Sequence, residues 1–389
     1  MSTGHPELVA AIASEIAAFG PIPFVRFMEL ALYHPQFGYY MRAPEHTTER
    51  IGWRGDFYTS SDVHPILGQA LAKQAEQMHR LLGQPGQFTV IEMGPGKGLL
   101  AKHFLSACQR NFNSLFRQLR YVLIERSPAM REVQRKNLDS WIDQPDLLTW
   151  KEDLESLAPV TGLFFSNELV DSFPVHRVQV TSKGIEELWV DHRDGRFVEC
   201  LKPLSSDALA SHLRRVRTDW PESYRSEINL HALAWMDQVA RHLDRGFVLT
   251  IDYGHTMQDL YQSDRTDGTF LCYSRHSTHE DPFTRVGDQD MTAHVDFSSL
   301  AAAGEERGLR TSGFTNQLSF LMGLGVEQMM EELEPDSGEF HAAIHLLKPN
   351  GMGTTFKVLV QHKGILDPEL DGLKYKPFFR SALIAQSAA

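Results

Sequence analysis

The chain has 389 residues, of which 42% are hydrophobic and 23% charged, with a net charge of −12. That length allows two or three domains, or one large α/β domain with insertions. The composition excludes disordered, collagen-like and coiled-coil classes, and the acidic balance argues against binding a phosphate backbone, which runs on clustered Lys and Arg. The three cysteines, Cys108, Cys200 and Cys272, lie far apart and are odd in number. They read as reduced thiols rather than a disulfide framework or a metal set. Residues 1–19 carry Glu7 and Glu15 within their apolar stretch and have no basic leader, unlike a signal peptide. No run reaches the ~20 apolar residues of a membrane span. The expectation is a cytoplasmic protein with no nucleic-acid partner and no membrane insertion.

In chain order, Leu8, Ile12 and Ile16 have helical spacing over 5–19, stopped by Gly20-Pro21. A second short helix fits 23–33 and an aromatic loop, Phe37 to Tyr40, follows. A polar loop over 42–55 leads to a longer helix over 63–82, with Ser61 or Asp62 as its cap. From residue 87 the rhythm changes. Short apolar runs at 88–92, 121–125, 147–150, 162–166, 246–252 and 356–360 alternate with helical stretches at 99–110 and 128–140. Such alternation predicts βαβ units and a mostly parallel sheet. Between 175 and 205 three alternating stretches, split by Gly184 and Asp194-Gly195, predict an antiparallel excursion. Helices near 207–217 and 228–243 return the chain to the sheet.

The turn after the first apolar run reads Glu92-Met-Gly94-Pro-Gly96-Lys-Gly98. Glycines let a ligand approach the backbone, and the following helix offers free N–H groups. A dinucleotide fingerprint would need Gly where Leu99 stands, and a phosphate-binding P-loop would need Ser or Thr where Gly98 stands. The spacing fits the acidic-x-Gly-x-Gly-x-Gly loop of class I S-adenosylmethionine methyltransferases, with Glu92 suited to the methionine ammonium; a tight turn without ligand is the alternative. The second run ends in Glu125, where a doubly wound fold places the acid that takes ribose hydroxyls. The interval from Glu92 to Glu125 exceeds the ~20 residues of dinucleotide folds, so residues 111–120 are expected to lengthen the first crossover. Asp153 follows the third run, in the right order to reach adenine, with a surface or capping role as its alternative.

The segment Ser166-Asn167-Glu168-Leu-Val-Asp171-Ser-Phe-Pro174-Val175 resembles the Asn-Glu-Leu-Leu-Asp-Ala-Leu-Pro-Val signature of the MidA family of class I S-adenosylmethionine methyltransferases. The segments Ala31–Tyr40, Gly55–Thr59, Ile251–Gly254, Gly268–Tyr273 and Asp290–Phe297 are similar to further family signatures, in order. The resemblance implies a Rossmann-like α/β fold: a mostly parallel seven-stranded sheet flanked by helices, with an N-terminal helical extension and an inserted antiparallel and helical subdomain. The expected units are 1–86 (extension and cofactor lid), 87–174 (first half of the core), 175–245 (inserted substrate subdomain) and 246–389 (second half, with an insertion near 255–300). Mitochondrial members of the family are complex I assembly factors that methylate an arginine. The resemblance thus implies methylation of a basic, arginine-containing protein segment, on a complex I subunit or its bacterial counterpart. A small-molecule or other side-chain acceptor, or a non-catalytic assembly role, is the alternative.

Guanidinium stays protonated in proteins, so the acceptor must be held by carboxylates. Glu168 is the expected clamp and Asp171 its support, with turn bracing as the alternative for Asp171. Asn167 is expected to bond cofactor or substrate. His294 and Asp296 form a second catalytic candidate pair, with a core histidine and a helix cap as the alternative. Asp56, Tyr58 and Thr59 are expected to fold over the cofactor. His341 and His345 have a metal-like spacing but lack the Glu of His-Glu-x-x-His, and no metal is expected.

Overall fold

The computed structural model describes residues 4–42, 63–216, 219–349, 351–377, 379 and 383. The chain opens with α1 (Pro6–Phe19), β1 (Ile22–Pro23) and α2 (Phe24–Tyr33). Proline stands in the first turn of α1, where its missing N–H costs no hydrogen bond, and α2 stops at His34, before Pro35. Helix α3 (Ile66–Leu81) follows. Then come β2 (Phe88–Met93), α4 (Leu99–Asn111), β3 (Leu119–Ile124), α5 (Pro128–Asn137), β4 (Leu148–Lys151) and β5 (Val160–Asn167).

The excursion comprises β6 (His176–Thr181), β7 (Gly184–Arg193), β8 (Arg196–Lys202) and β9 (Arg225–Ile228). Helix α6 (Leu230–His242) returns the chain to β10 (Leu243–His255). The short strands β11 (Leu271–Ser274), β12 (Ser277–His279), β13 (Asp290–Thr292) and β14 (Val295–Asp296) precede α7 (Phe297–Glu305), β15 (Arg310–Asn316) and β16 (Phe356–Lys363).

The main sheet has the order β15-β16-β10-β5-β2-β3-β4, with the two-residue β14 paired to β10. Strands β10, β5, β2, β3 and β4 are parallel, and β16 runs antiparallel to both β10 and β15. Alternate residues serve two cores. Val90, Leu163 and Leu249 pack with α3 and α4 on one face, while Ile91, Phe164 and Val248 pack with α6 and α7 on the other. Both faces are covered, which is why these strands read as unbroken apolar runs. The chain leaves β2 towards β3 and β4, then returns to β5 on the other side of β2. That reversal opens a crevice beyond the C-terminal ends of β2 and β5.

Helices α1 and α2 pack away from this sheet. Leu8, Ile12, Phe24 and Phe27 share a core with Val175, Val190 and Phe197 of the excursion and with Phe270 and Met291, whereas Ile66, Leu67 and Leu71 of α3 belong to the main sheet's core. β1 extends the excursion's sheet by pairing with β7. No helix among the described residues is long and apolar enough to cross a membrane.

At the centre of the sheet, β2, β5 and β10 approach through Thr89, Gly162 and Gly246. Gly246 holds a φ of 144°, and a Cβ there would stand 1.9 Å from the Gly162 carbonyl oxygen. Gly246→Ala is therefore expected to cost about 3 kcal/mol or more of stability. Chemical denaturation would show it as a lower midpoint with an unchanged slope.

Candidate active site

A cavity of about 540 Å³ opens at the crevice between the ends of β2 and β5. Its volume lies within the range of small-molecule and cofactor sites. Gly94 and Gly96 line it, with φ values of 67° and 52° that L side chains rarely adopt. A Cβ on Gly94 would meet Leu169 Cδ1 at 2.7 Å, whereas one on Gly96 would meet no atom of the described residues within 4 Å, so the backbone is open to them on that side.

Glu92, Glu125, Asp153, Asn167, Glu168 and Asp171 line the same cavity. Glu92 is 3% exposed and accepts the Tyr121 hydroxyl at 2.7 Å. Burial pushes its carboxyl up to about 8, against the pull of that hydroxyl. Glu125 ends β3 and takes the Ser127 backbone N–H at 2.8 Å through Oε1; burial raises it as well. Asp153 also closes a local turn, its Oδ1 accepting the Glu155 N–H at 3.0 Å.

The segment after β5 is the most constrained part of the wall. Asp252, at the end of β10 and fully buried, accepts the backbone N–H groups of Leu169, Val170 and Asp171 through Oδ2 at 3.2, 2.8 and 3.3 Å. Glu168 stands before this turn with a φ of 53°, uncommon for a non-glycine residue. The Asn167 side-chain amide donates to Glu168 Oε1 at 3.0 Å, while Asn167 Oδ1 is buried and finds no partner among the described residues. Asp171 is held well above the usual carboxylate range by burial and by Asp252, Asp290 and Glu168 around it. Burial pushes Asp252 up to about 7, opposed by the N–H groups it accepts.

Five residues absent from the sequence-derived site complete this end of the cavity: Tyr33, Tyr40, Tyr253, Tyr273 and Asp290. The Tyr40 hydroxyl donates to Asp290 Oδ1 at 2.6 Å, and the Met291 N–H reaches the same oxygen at 2.8 Å. The Tyr33 hydroxyl bonds the Ser172 carbonyl at 3.1 Å, and its ring stacks on Tyr40. All five stood inside segments quoted for the family resemblance, so the signal was present without a role attached; Tyr33 and Tyr40 come from one of them, Ala31–Tyr40.

Three expectations are corrected by geometry. Gly98 does not line the cavity; a Cβ there would meet Gln134 Cγ at 3.2 Å, so its φ of 76° serves the packing of α4 against α5. Asp296 caps α7, accepting the Ser299 N–H at 3.0 Å and the Ser299 hydroxyl at 2.6 Å. With His294 it lines a separate small crevice that includes His212, Glu227 and Tyr261. The structure therefore gathers the Glu168 constellation and leaves the His294 pair outside it. Tyr58 and Thr59, with Asp56, lie outside the described residues.

A solved structure from Burkholderia thailandensis, bound to S-adenosyl-homocysteine, superposes with a TM-score of 0.85 at 32% identity over 94% of each chain. The Drosophila melanogaster protein named protein arginine methyltransferase NDUFAF7 homolog, mitochondrial, is 28% identical, covering 95% of this chain and 88% of its own. The human NDUFAF7 is 26% identical, over 88% and 80% respectively. The open backbone at Gly96, the Glu125 carboxylate and the orphaned Asn167 oxygen fit S-adenosylmethionine.

If Glu92 holds the methionine ammonium, as the Gly-rich loop leads one to expect, it must be ionised, which burial delays until about pH 8. Affinity for S-adenosylhomocysteine is thus expected to rise across about pH 6 to 8, as Glu92 loses its proton. Calorimetric titration over that range should show the rise, and Glu92→Gln should flatten it.

The model of the S-adenosyl-L-methionine-dependent methyltransferase family Methyltransf_28 matches residues 70–315, from α3 through β15. With the fold, the Gly-rich loop and the cavity in agreement, the chain belongs to this family of S-adenosylmethionine-dependent methyltransferases.

Proposed function

We propose that this protein methylates an arginine side chain of a protein. The observation that carries the reading is the group of carboxylates at one end of the cavity, with Asp171 and Asp290 buried and Glu168 half-buried. Glu168, Asp171 and Asp290 face a space walled by Tyr33, Tyr40, Tyr253 and Tyr273, with Asp252 behind. Carboxylates that raise one another's proton affinity favour a cation between them. A guanidinium is permanently charged and planar, presents five donors, and stacks on aromatic faces. The negative field that these groups set at Asp171 favours a cationic acceptor over a neutral one.

S-adenosylmethionine, when bound, supplies an activated methyl group. Glu168 holds the guanidinium through paired hydrogen bonds, and Asp171 supports it from the adjoining turn. The accepting nitrogen gives up a proton as its bond to carbon forms, and the Glu168 carboxylate that receives its N–H is placed to take that proton. The printed names of the NDUFAF7 relatives support an arginine acceptor. The net charge of −12 favours encounter with a basic segment. On the family resemblance we extend the proposal to a complex I subunit or its bacterial counterpart.

The test is incubation with methyl-labelled S-adenosylmethionine and a proteome from cells lacking the enzyme, followed by hydrolysis to amino acids. Label in methylarginine is expected; label confined to methyl-lysine or to small molecules would sink the reading. Glu168→Gln should lower turnover about 100-fold while S-adenosylhomocysteine affinity, read by calorimetry, stays within about threefold of wild type.

A further inference from the structure

Gln134, on α5, is fully buried, in a position where an aliphatic side chain would be the ordinary choice. Its amide is nonetheless satisfied on every side. Nε2 donates to the Gly96 carbonyl at 2.7 Å and to Glu125 Oε2 at 3.0 Å. Oε1 accepts the Trp150 indole N–H at 3.0 Å. An indole nitrogen only donates, so Trp150 fixes which way the amide faces. With Oε1 committed to the indole, both protons of Nε2 point at the glycine loop and at Glu125. Trp150 is itself held, by β4 pairing beside β3 and by the Arg135 guanidinium 4.8 Å above its ring.

We propose that Gln134 is a positioning residue of the nucleoside subsite, acting through Glu125 on the two ribose hydroxyls of the cofactor. The inference rests on the reading of Glu125 as the ribose acid. The Ser127 N–H takes one lone pair of Glu125 Oε1 and Gln134 one of Oε2. These two bonds fix the carboxylate plane, and each oxygen keeps acceptor capacity for a hydroxyl. The same amide holds the carbonyl of Gly96, whose backbone borders the cavity. One side chain thus sets the distance between the glycine loop and the ribose acid. Asn137, one turn further along α5, adds a bond to the Lys97 carbonyl at 2.9 Å, so the loop is tied to α5 at two points.

The test compares two ligands by calorimetry with the full chain: S-adenosylhomocysteine and its 2′,3′-dideoxy analogue. Gln134→Met keeps the volume and removes the amide. It is expected to weaken S-adenosylhomocysteine about tenfold or more and the analogue by less than about threefold. Trp150→Phe, which leaves Gln134 in place but frees its orientation, should weaken the natural ligand selectively and to a smaller degree. An equal loss for both ligands would assign Gln134 to general packing and overturn the proposal, as would wild-type affinity for both. If the wild-type protein itself does not discriminate the two ligands, the reading of Glu125 fails first, and the proposal falls with it. Should Gln134→Met not fold, the ligand selectivity of Trp150→Phe decides alone.

Discussion

The acceptor side of this site depends on one buried carboxylate. Asp252 sits fully buried near the end of β10 and takes three successive backbone N–H groups from the segment that leaves β5. Without it those groups would be orphaned inside the protein, each at a cost of about 1–3 kcal/mol. With it the chain can turn sharply after Asn167, hold Glu168 at a positive φ and bring Asp171 round to the cavity. A nest of N–H groups is also what lets a charge lie so deep. The consequence is electrostatic: the anion that organises the turn adds to the field on Asp171, which Glu168 and Asp290 already load. The wall is assembled around a negative charge, and the field set at Asp171 favours a positive one.

Much of the architecture was legible because buried parallel strands cannot hide. Phe88–Met93 and Leu119–Ile124 have both faces covered, and their apolar runs say so. The glycine loop and the Asn167–Asp171 segment were visible because backbone geometry and carboxylate spacing are local properties. Asp290 and the tyrosine wall were not, because they reach the cavity from segments more than a hundred residues apart. Asp252 was read only as a strand end; its partners are backbone groups about eighty residues earlier, which carry no side-chain signature. His294 and Asp296 were drawn in by the neighbourhood of the Asp290 signature. Yet Asp296-Phe-Ser-Ser299 is also a helix start, and the cap is the role the structure gives that aspartate. The strands β11 to β13 escaped notice because they are short and pair only with one another.

The two ends of the cavity solve opposite problems with the same residue type. At the nucleoside end, Glu125 is pinned by donors from Ser127 and Gln134, so its acceptor direction is set in advance. At the far end Asp171 is crowded by Asp252, Asp290 and Glu168 and its proton affinity is raised, an environment that favours a cation. The fixed end suits a ligand that must bind in one pose every cycle. The loaded end suits one that must be drawn in.

On the proposed arginine reading methyl transfer adds a further demand, since the cationic cofactor and a guanidinium must come within about 3–3.5 Å of each other. At a separation near 4 Å, like charges repel by about 4 kcal/mol in a medium of effective dielectric 20. On that reading the carboxylates of Glu168, Asp171 and Asp290, with Asp252 behind them, face the place where both cations meet. Loss of the methyl group would remove the sulfonium charge, and the Glu168 carboxylate would be there to receive the guanidinium proton. The cluster of acids that raises the proton affinity of Asp171 is then what would hold two cations together long enough to react.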